Sequence, residues 1–329
     1  MTTEEARRGA VLFDMSGRGV IEVTGGDAER WLDGMVTNDV KALSSDPSSS
    51  GCYAALLTPQ GRIVSDLQVL CRPGGFWLET GREAVPGVIE RLSRYVVADD
   101  VALRDASAEH ARFGIEGRGA RAALEGVAGG VLSIGPSCIE DSVIAEVPVA
   151  VASFGWSGEE SFQLFAPAAQ GEEVSARLET VAQPGSASLL EALRVEAGIP
   201  ALGSELAEDT LPDEARIGHA ISESKGCYTG QEVIARLRSR GGVKHQLVGL
   251  RGRELPAPGA RLERESGKRT GELTSRCESA LAGGEIALGF VHRDDATPGT
   301  RLVCEGQEVL VAALPFVTLP AAESETPPA

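Results

Sequence analysis

The chain has 329 residues, enough for two or three domains and a large core. Hydrophobic residues make up 42% and charged residues 24%, an ordinary soluble composition, and no apolar run is long enough to span a bilayer. The net charge of -17 argues against stable direct binding to nucleic acid, which needs a basic footprint.

The N-terminus, Met1-Thr2-Thr3-Glu4-Glu5, is polar and acidic, unlike a signal or transit peptide, so a cytoplasmic protein is expected. Its six scattered cysteines then stay reduced. None form a Cys-x-x-Cys pair, so there is no self-contained zinc or iron–sulfur motif. Residues 11–24 carry strand-like segments ending at Thr24-Gly25-Gly26. Asp27 is placed to cap a short helix bearing Trp31, Leu32 and Met35. Asn38 follows, as a ligand contact or as a turn-stabilising amide. Ser44 to Gly51 reads as a loop by composition. A hairpin comes next: Cys52 to Thr58, a turn at Pro59-Gln60-Gly61, and a return strand from Arg62 to Cys71. Strand alternation puts Asp66 with Val64, Gln68 and Leu70, opposite Leu67 and Val69. It is either a solvent-face carboxylate or a ligand contact with a raised pKa.

Val85, Val88, Ile89, Leu92 and Val96 recur at helical spacing, and Val101 to Arg104 starts another strand. Residues 106–170 read as mostly strands with glycine-rich breaks. Ser188 and Glu191 have capping-box spacing, opening a helix through Leu189, Leu193 and Val195 that Gly198 and Pro200 end. On the residues alone, Glu196 is an exposed carboxylate of that helix.

Lys225-Gly226-Cys227-Tyr228-Thr229-Gly230-Gln231-Glu232 reads as a glycine-flanked cysteine ahead of a helix. Thr229 and Glu232 have the spacing of a second capping box. The helix positive end and Lys225 are expected to lower the Cys227 pKa from about 8.5, with Tyr228 as a flat wall beside the sulfur. The other five cysteines read as small buried hydrophobes. From Val233 to Arg253 there are basic residues, Arg236 and Arg238 among them, and no acidic one. They are a solvated helix end or a landing site for an anion. After Gly242, short strands and Pro/Gly turns run to about Pro320, as in a small β-barrel or sandwich. Ala321 to Ala329 lack hydrophobic bulk and read as a disordered tail.

The segment 225–232, continued by Ala235-Arg236, resembles the signature of the YgfZ-type folate-binding proteins, within the superfamily of the glycine-cleavage T-protein. Leu193-Arg194-Val195-Glu196-Ala197-Gly198, Gly155-Trp156-Ser157-Gly158-Glu159 and Thr58-Pro59-Gln60-Gly61-Arg62-Ile63-x-x-Asp66 resemble three other superfamily segments. The resemblance, with Thr37-Asn38-Asp39, covers nearly the whole chain. Glu223-Ser224 departs from the family's usual aromatic-Thr pair. The resemblance implies an α+β fold of interleaved ferredoxin-like subdomains over 1–240, a C-terminal β-barrel over 241–320 and the tail at 321–329. It implies a central cleft for tetrahydrofolate or a derivative, with Glu196 on the pterin edge and Asp66 near the nitrogen that takes the one-carbon unit. Asn38 joins these as a candidate contact, and Arg236 as a candidate for a polyglutamate tail. The implied role is that of an accessory protein for iron–sulfur enzymes, including tRNA-modifying ones, with assembly proteins or client enzymes as partners. Cys227 would act by thiol chemistry or as one ligand of a transient cluster shared with a partner, framed by Lys225, Gly226, Tyr228, Gly230, Gln231 and Glu232. The alternative is a tetrahydrofolate-dependent aminomethyl transferase like the T-protein, in which Asp66 is central.

Overall fold

The structure, a computed structural model, describes residues 1–45 and 50–320. Part of the loop expected at Ser44 to Gly51, and the tail expected at 321–329, lie outside them. The chain opens with α1 (Thr3–Arg8) and β1 (Val11–Asp14). Then come β2 (Arg18–Thr24), α2 (Ala28–Met35), α3 (Lys41–Ser45), β3 (Gly51–Leu57), β4 (Ile63–Arg72), β5 (Gly75–Gly81), α4 (Val85–Ser93) and β6 (Ala102–Asp105). A second group follows: β7 (His110–Glu116), α5 (Ala120–Ala128), β8 (Ile139–Ile144), β9 (Val147–Ala152), β10 (Ser161–Pro167), α6 (Gly171–Leu178) and β11 (Gln183–Pro184). Helices α7 (Ala187–Ala197) and α8 (Gln231–Ser239) lead to β12 (His245–Arg251), β13 (Arg261–Glu263), β14 (Arg269–Ser279), β15 (Gly284–His292), β16 (Arg301–Cys304) and β17 (Gln307–Ala312).

The first sheet has the order β3-β4-β5-β2-β6, with every neighbour antiparallel. Without β3, its β2-α2-β4-β5-α4-β6 path is ferredoxin-like. The second sheet runs β11-β1-β7-β10-β9-β8. Here β1, which precedes the whole first module in sequence, is wedged between β7 and β11. That insertion is what interleaves the two subdomains. The last six strands close into a barrel, β12-β15-β14-β13-β16-β17.

Helical spacing decides which faces are buried. In α2, Ala28, Trp31 and Leu32 pack on the first sheet. In α4, Val85, Val88 and Leu92 do the same, at spacings of one turn and two. The two sheets meet through Val20 and Leu70 of the first and Ala150, Ala152 and Phe165 of the second. The barrel is tied on by Val195 of α7 against Leu247, Ile286 and Leu288. Segment 202–243 lies over the β3–β4 hairpin through Ile217, Tyr228 and Ile234.

Three local expectations are corrected. Helix α5 sits in the region read as strands. Helix α7 is capped by Ser186, whose hydroxyl accepts from Leu189 N at 3.2 Å, while Glu191 pairs with Arg194. Helix α8 starts after Gly230 with no side-chain cap, so Thr229 and Glu232 form no capping box.

Candidate functional site

Where the two sheets, the end of α7 and segment 212–220 converge, they enclose a cavity of about 590 Å³. Its wall includes Arg18 of β2, Tyr53 of β3, and Asp66 and Gln68 of β4. Trp156, Glu159 and Glu160 come from the turn before β10, and Arg216 and His219 from segment 212–220.

The pleat of β4 explains why an acid is buried here. Leu67 and Val69 face the helices and the apolar core, so Asp66 and Gln68 face the cavity. Asp66 is 8% exposed. Its Oδ2 accepts from the Tyr53 hydroxyl at 3.2 Å, and its Oδ1 has no partner. Burial raises its pKa above the usual carboxylate value, opposed by the Arg18 cation. The solvent-face reading of Asp66 therefore does not describe this strand. Behind the wall, Glu79 of β5 is fully buried and receives two bonds from Arg18, at 2.7 and 2.8 Å. Burial alone would raise the Glu79 pKa; the Arg18 charge and the bonds from Arg18 and Arg112 hold it below its usual value.

The second sheet turns Arg112 and Gln163 toward the first, although neither lines the cavity. Phe113, Phe162 and Leu164 turn to that sheet's helix-covered side, so Arg112 and Gln163 face inward. Arg112 sits over the Phe165 ring, 3.8 Å from its centroid, and burial pushes its pKa down to about 10. Asp66 Oδ1, Gln68 Oε1, Arg112 Nε and Nη1, and both amide atoms of Gln163 are buried with no hydrogen-bond partner. Each such atom costs about 1–3 kcal/mol. Of these, Asp66 Oδ1 and Gln68 Oε1 belong to residues that line the cavity, which marks that stretch of wall as prepared for polar partners. Sequence alone does not single out Arg18, Tyr53 and Gln68 as cavity residues. The alternation that carries Asp66 also carries Gln68, an amide among apolar strand neighbours.

Several expected site residues lie elsewhere. Glu196 is fully buried and does not line the cavity. Its Oε2 accepts from Arg7 Nε at 2.9 Å, and its Oε1 from the hydroxyls of Thr3, at 2.7 Å, and Ser279. Both oxygens are engaged by protein, so no edge remains for a pterin. The cavity is lined instead by the residues after it, Ala197 to Pro200. Asn38 donates to Tyr53 O at 2.8 Å and accepts from Asp39 N at 2.9 Å. It stabilises a turn. Arg236 is exposed and pairs with Glu232 at 2.8 Å, away from the cavity wall.

The 225–232 loop has its own logic. The Lys225 ammonium is buried, 3.1 Å from Asp33 Oδ1. It donates to the carbonyls of Asp33, Val36 and Asn38, closing the end of α2, where helix carbonyls lack partners. It is thus not a free cation serving the cysteine. Tyr228 is buried among Leu57, Ile217 and Ile234, so it is core rather than a wall beside the sulfur. Gly230 has φ +87°, and a Cβ there would meet Thr58 O at 2.8 Å, so only glycine fits. Gln231 begins α8, and Glu232 is 86% exposed. Gly226 and Cys227 are exposed. Cys227 does not line the cavity. Of the cysteines expected to be core, Cys138 and Cys304 are buried, while Cys52, Cys71 and Cys277 are partly so. Among the described residues no group of three or more His, Cys, Asp or Glu is placed to hold a metal, and no helix is long and apolar enough to cross a membrane.

Comparison with known proteins follows the fold. The chain is 31% identical over 293 residues to an aminomethyltransferase of Rubrobacter xylanophilus, covering 88% of this chain and 77% of that one. It is 28% identical over 324 residues to the tRNA-modifying protein YgfZ of Shigella sonnei, covering 95% of each. The solved glycine cleavage system aminomethyltransferase T of Bartonella henselae superposes with a TM-score of 0.85 at 22% identity, covering 96% of this chain and 88% of that one. Residues 2–225 match the GCVT N-terminal domain, and with that match over most of its length the chain belongs to the GCVT family.

Proposed function

We propose that this protein binds a reduced folate in the central cavity and serves, like the YgfZ-type proteins it resembles, as an accessory factor for iron–sulfur enzymes. The observation that carries the folate reading is the pair of unpartnered acceptors on the cavity wall, Asp66 Oδ1 and Gln68 Oε1. A pterin offers both N–H donors and ring acceptors. The acceptors Asp66 Oδ1 and Gln68 Oε1 suit its N–H groups. When bound, a tetrahydrofolate supplies a ring nitrogen able to carry a one-carbon unit. The chain's own contribution there is Asp66, with a raised pKa and a Tyr53 hydroxyl beside it, poised to hold or release a proton at Oδ1.

The accessory role rests on Cys227. Its thiol is exposed on a loop whose Lys225 and Tyr228 are locked into the fold. One cysteine cannot hold a cluster, so any cluster there is shared with an assembly protein or client enzyme. Effects on tRNA modification would then pass through such a client, since the net charge of -17 disfavours direct nucleic-acid binding. A cytoplasmic setting, where thiols stay reduced, fits this role. The second reading, a folate-dependent aminomethyl transferase, is favoured by Asp66 at the cavity and by the aminomethyltransferase relatives. Turnover of an aminomethyl donor that needs Asp66 and tolerates Cys227→Ala would select it.

The test of the folate reading is a calorimetric titration of tetrahydrofolate into the wild type and Gln68→Met. The substitution removes the unpartnered Oε1 at similar volume, so stability should hold or rise by about 1 kcal/mol while affinity falls at least tenfold. Wild-type affinity matched by Gln68→Met would remove the amide from the site. No heat with the wild type would remove folate from the mechanism.

A further inference from the structure

Three arginines line the central cavity, and two are committed. Arg18 is held by both oxygens of Glu79. Arg121 bonds Glu160 at 2.8 Å and the carbonyls of Leu132 and Ile134. Arg216 is exposed, and no hydrogen bond or ion pair joins its side chain to another described residue. In a chain of net charge -17, that is an uncommitted cation at a cavity wall.

Its backbone is unusual as well. Arg216 has φ +62°, the left-handed region that residues with a Cβ adopt only at a cost. Four other non-glycine residues share this sign. Ala145, Glu146 and Glu305 sit in two-residue hairpin turns between β8 and β9 and between β16 and β17, where positive φ is the rule. Ser137 and Arg216 do not, and both line the cavity. At Arg216 the neighbours impose the conformation. Ala215 and Ile217 are pinned in the apolar cluster over the hairpin, and Ile217 N bonds Pro212 O at 3.0 Å. The chain between two buried anchors turns its third side chain outward. A glycine would relieve the strain; an arginine there retains it, as functional positions do.

We infer that Arg216 receives a carboxylate of the ligand, namely the glutamate tail of a folate whose ring lies at Asp66. This rests on the folate reading above and moves the tail site from the expected Arg236 to the cavity wall. Arg236 and Arg238 are already engaged, with Glu232 and with both oxygens of Asp213.

The experiment titrates tetrahydrofolate and 6-methyltetrahydropterin, which has the same ring and no carboxylate, into the wild type, Arg216→Gly and Arg216→Lys. Arg216→Gly should weaken tetrahydrofolate about tenfold, the scale of one charge-assisted contact, and leave the methylpterin unchanged. Arg216→Lys should fall between. The melting temperature of Arg216→Gly should rise, because the strained residue is gone. Equal weakening of both ligands, a lowered melting temperature, or unchanged tetrahydrofolate binding would overturn the assignment while leaving the folate reading intact. A wild type that binds neither ligand would remove the folate reading, and this inference with it.

Discussion

Glu196→Ala should unfold the protein more easily rather than empty a ligand site. The carboxylate is fully buried and the Arg7 side chain is 1% exposed. Removing it leaves the Arg7 guanidinium with Glu159 at 3.3 Å and backbone carbonyls of Ser157 and Leu193. The hydroxyls of Thr3 and Ser279 lose their acceptor. Breaking a buried pair from one side costs about 3–5 kcal/mol, chiefly because the other charge stays buried. For 329 residues the unfolding entropy is about 0.7 kcal/mol per kelvin, taking unfolding as one transition. The expected fall in melting temperature is therefore about 4–7 °C. The network joins α1, the turn before β10, α7 and β14, so the loss should loosen all four. Thermal unfolding by circular dichroism measures it, with Arg7→Met/Glu196→Leu as the control. That double variant removes both charges and should recover most of the loss. Tetrahydrofolate titration of Glu196→Ala, kept well below its melting temperature, completes the test. A variant with wild-type stability and no folate binding would place the carboxylate against the ligand and sink the reasoning.

Two further outcomes follow from burial. Because burial raises the Asp66 pKa, the native state holds that proton more tightly than the unfolded chain. The stability this gives is full below the unfolded carboxylate value of about 3.9 and is lost as pH rises through the folded one. Asp66→Asn should thus melt higher than the wild type at pH 8, with the gap closing toward acid pH; a wild type at least as stable at pH 8 would contradict it. Burial also pushes the Cys52 and Cys277 thiols up to about 12, leaving roughly one thiolate in ten thousand at pH 8. Iodoacetamide at that pH, read by mass spectrometry of a digest, should modify the exposed Cys227 well before either, and comparable rates would refute the burial argument.

The fold was legible where short-range signals agreed. Pro59-Gln60-Gly61 between two apolar runs gave the β3–β4 hairpin, which pairs from Gly51↔Leu70 to Leu57↔Ile63. Gly198 ends α7 in the left-handed conformation. The signals failed where packing outweighed them. Helix α5 is flanked by Gly117, Gly119 and Gly129 and contains Gly126, a poor helix by propensity. It forms because Ala120, Leu124 and Val127 seal one side of the second sheet. Both capping-box readings rested on a four-residue pattern whose acids found other partners, Arg194 and Arg236.

The candidate site divides along the same line. The face Asp66 shares with Gln68 could be read because strand alternation is local, whereas the burial of that face depends on the second sheet. Glu196 could not, because its partner Arg7 is 189 residues away, and no helical pattern reports an ion pair with the N-terminus. Lys225 misled for the same reason: its carbonyl partners lie at the end of α2, far back in the chain. Once those partners are known, the signature loop reads differently. Lys225 closes a helix end, Tyr228 fills a core, and Gly230 permits contact with the hairpin. These are packing reasons, and they account for three residues of the motif without any chemistry. Cys227 has no such reason, being exposed and outside every apolar cluster. A loop fixed at both flanks and carrying an unsupported thiol holds that sulfur at a set position on the surface. That keeps the thiol on the surface, apart from the central cavity.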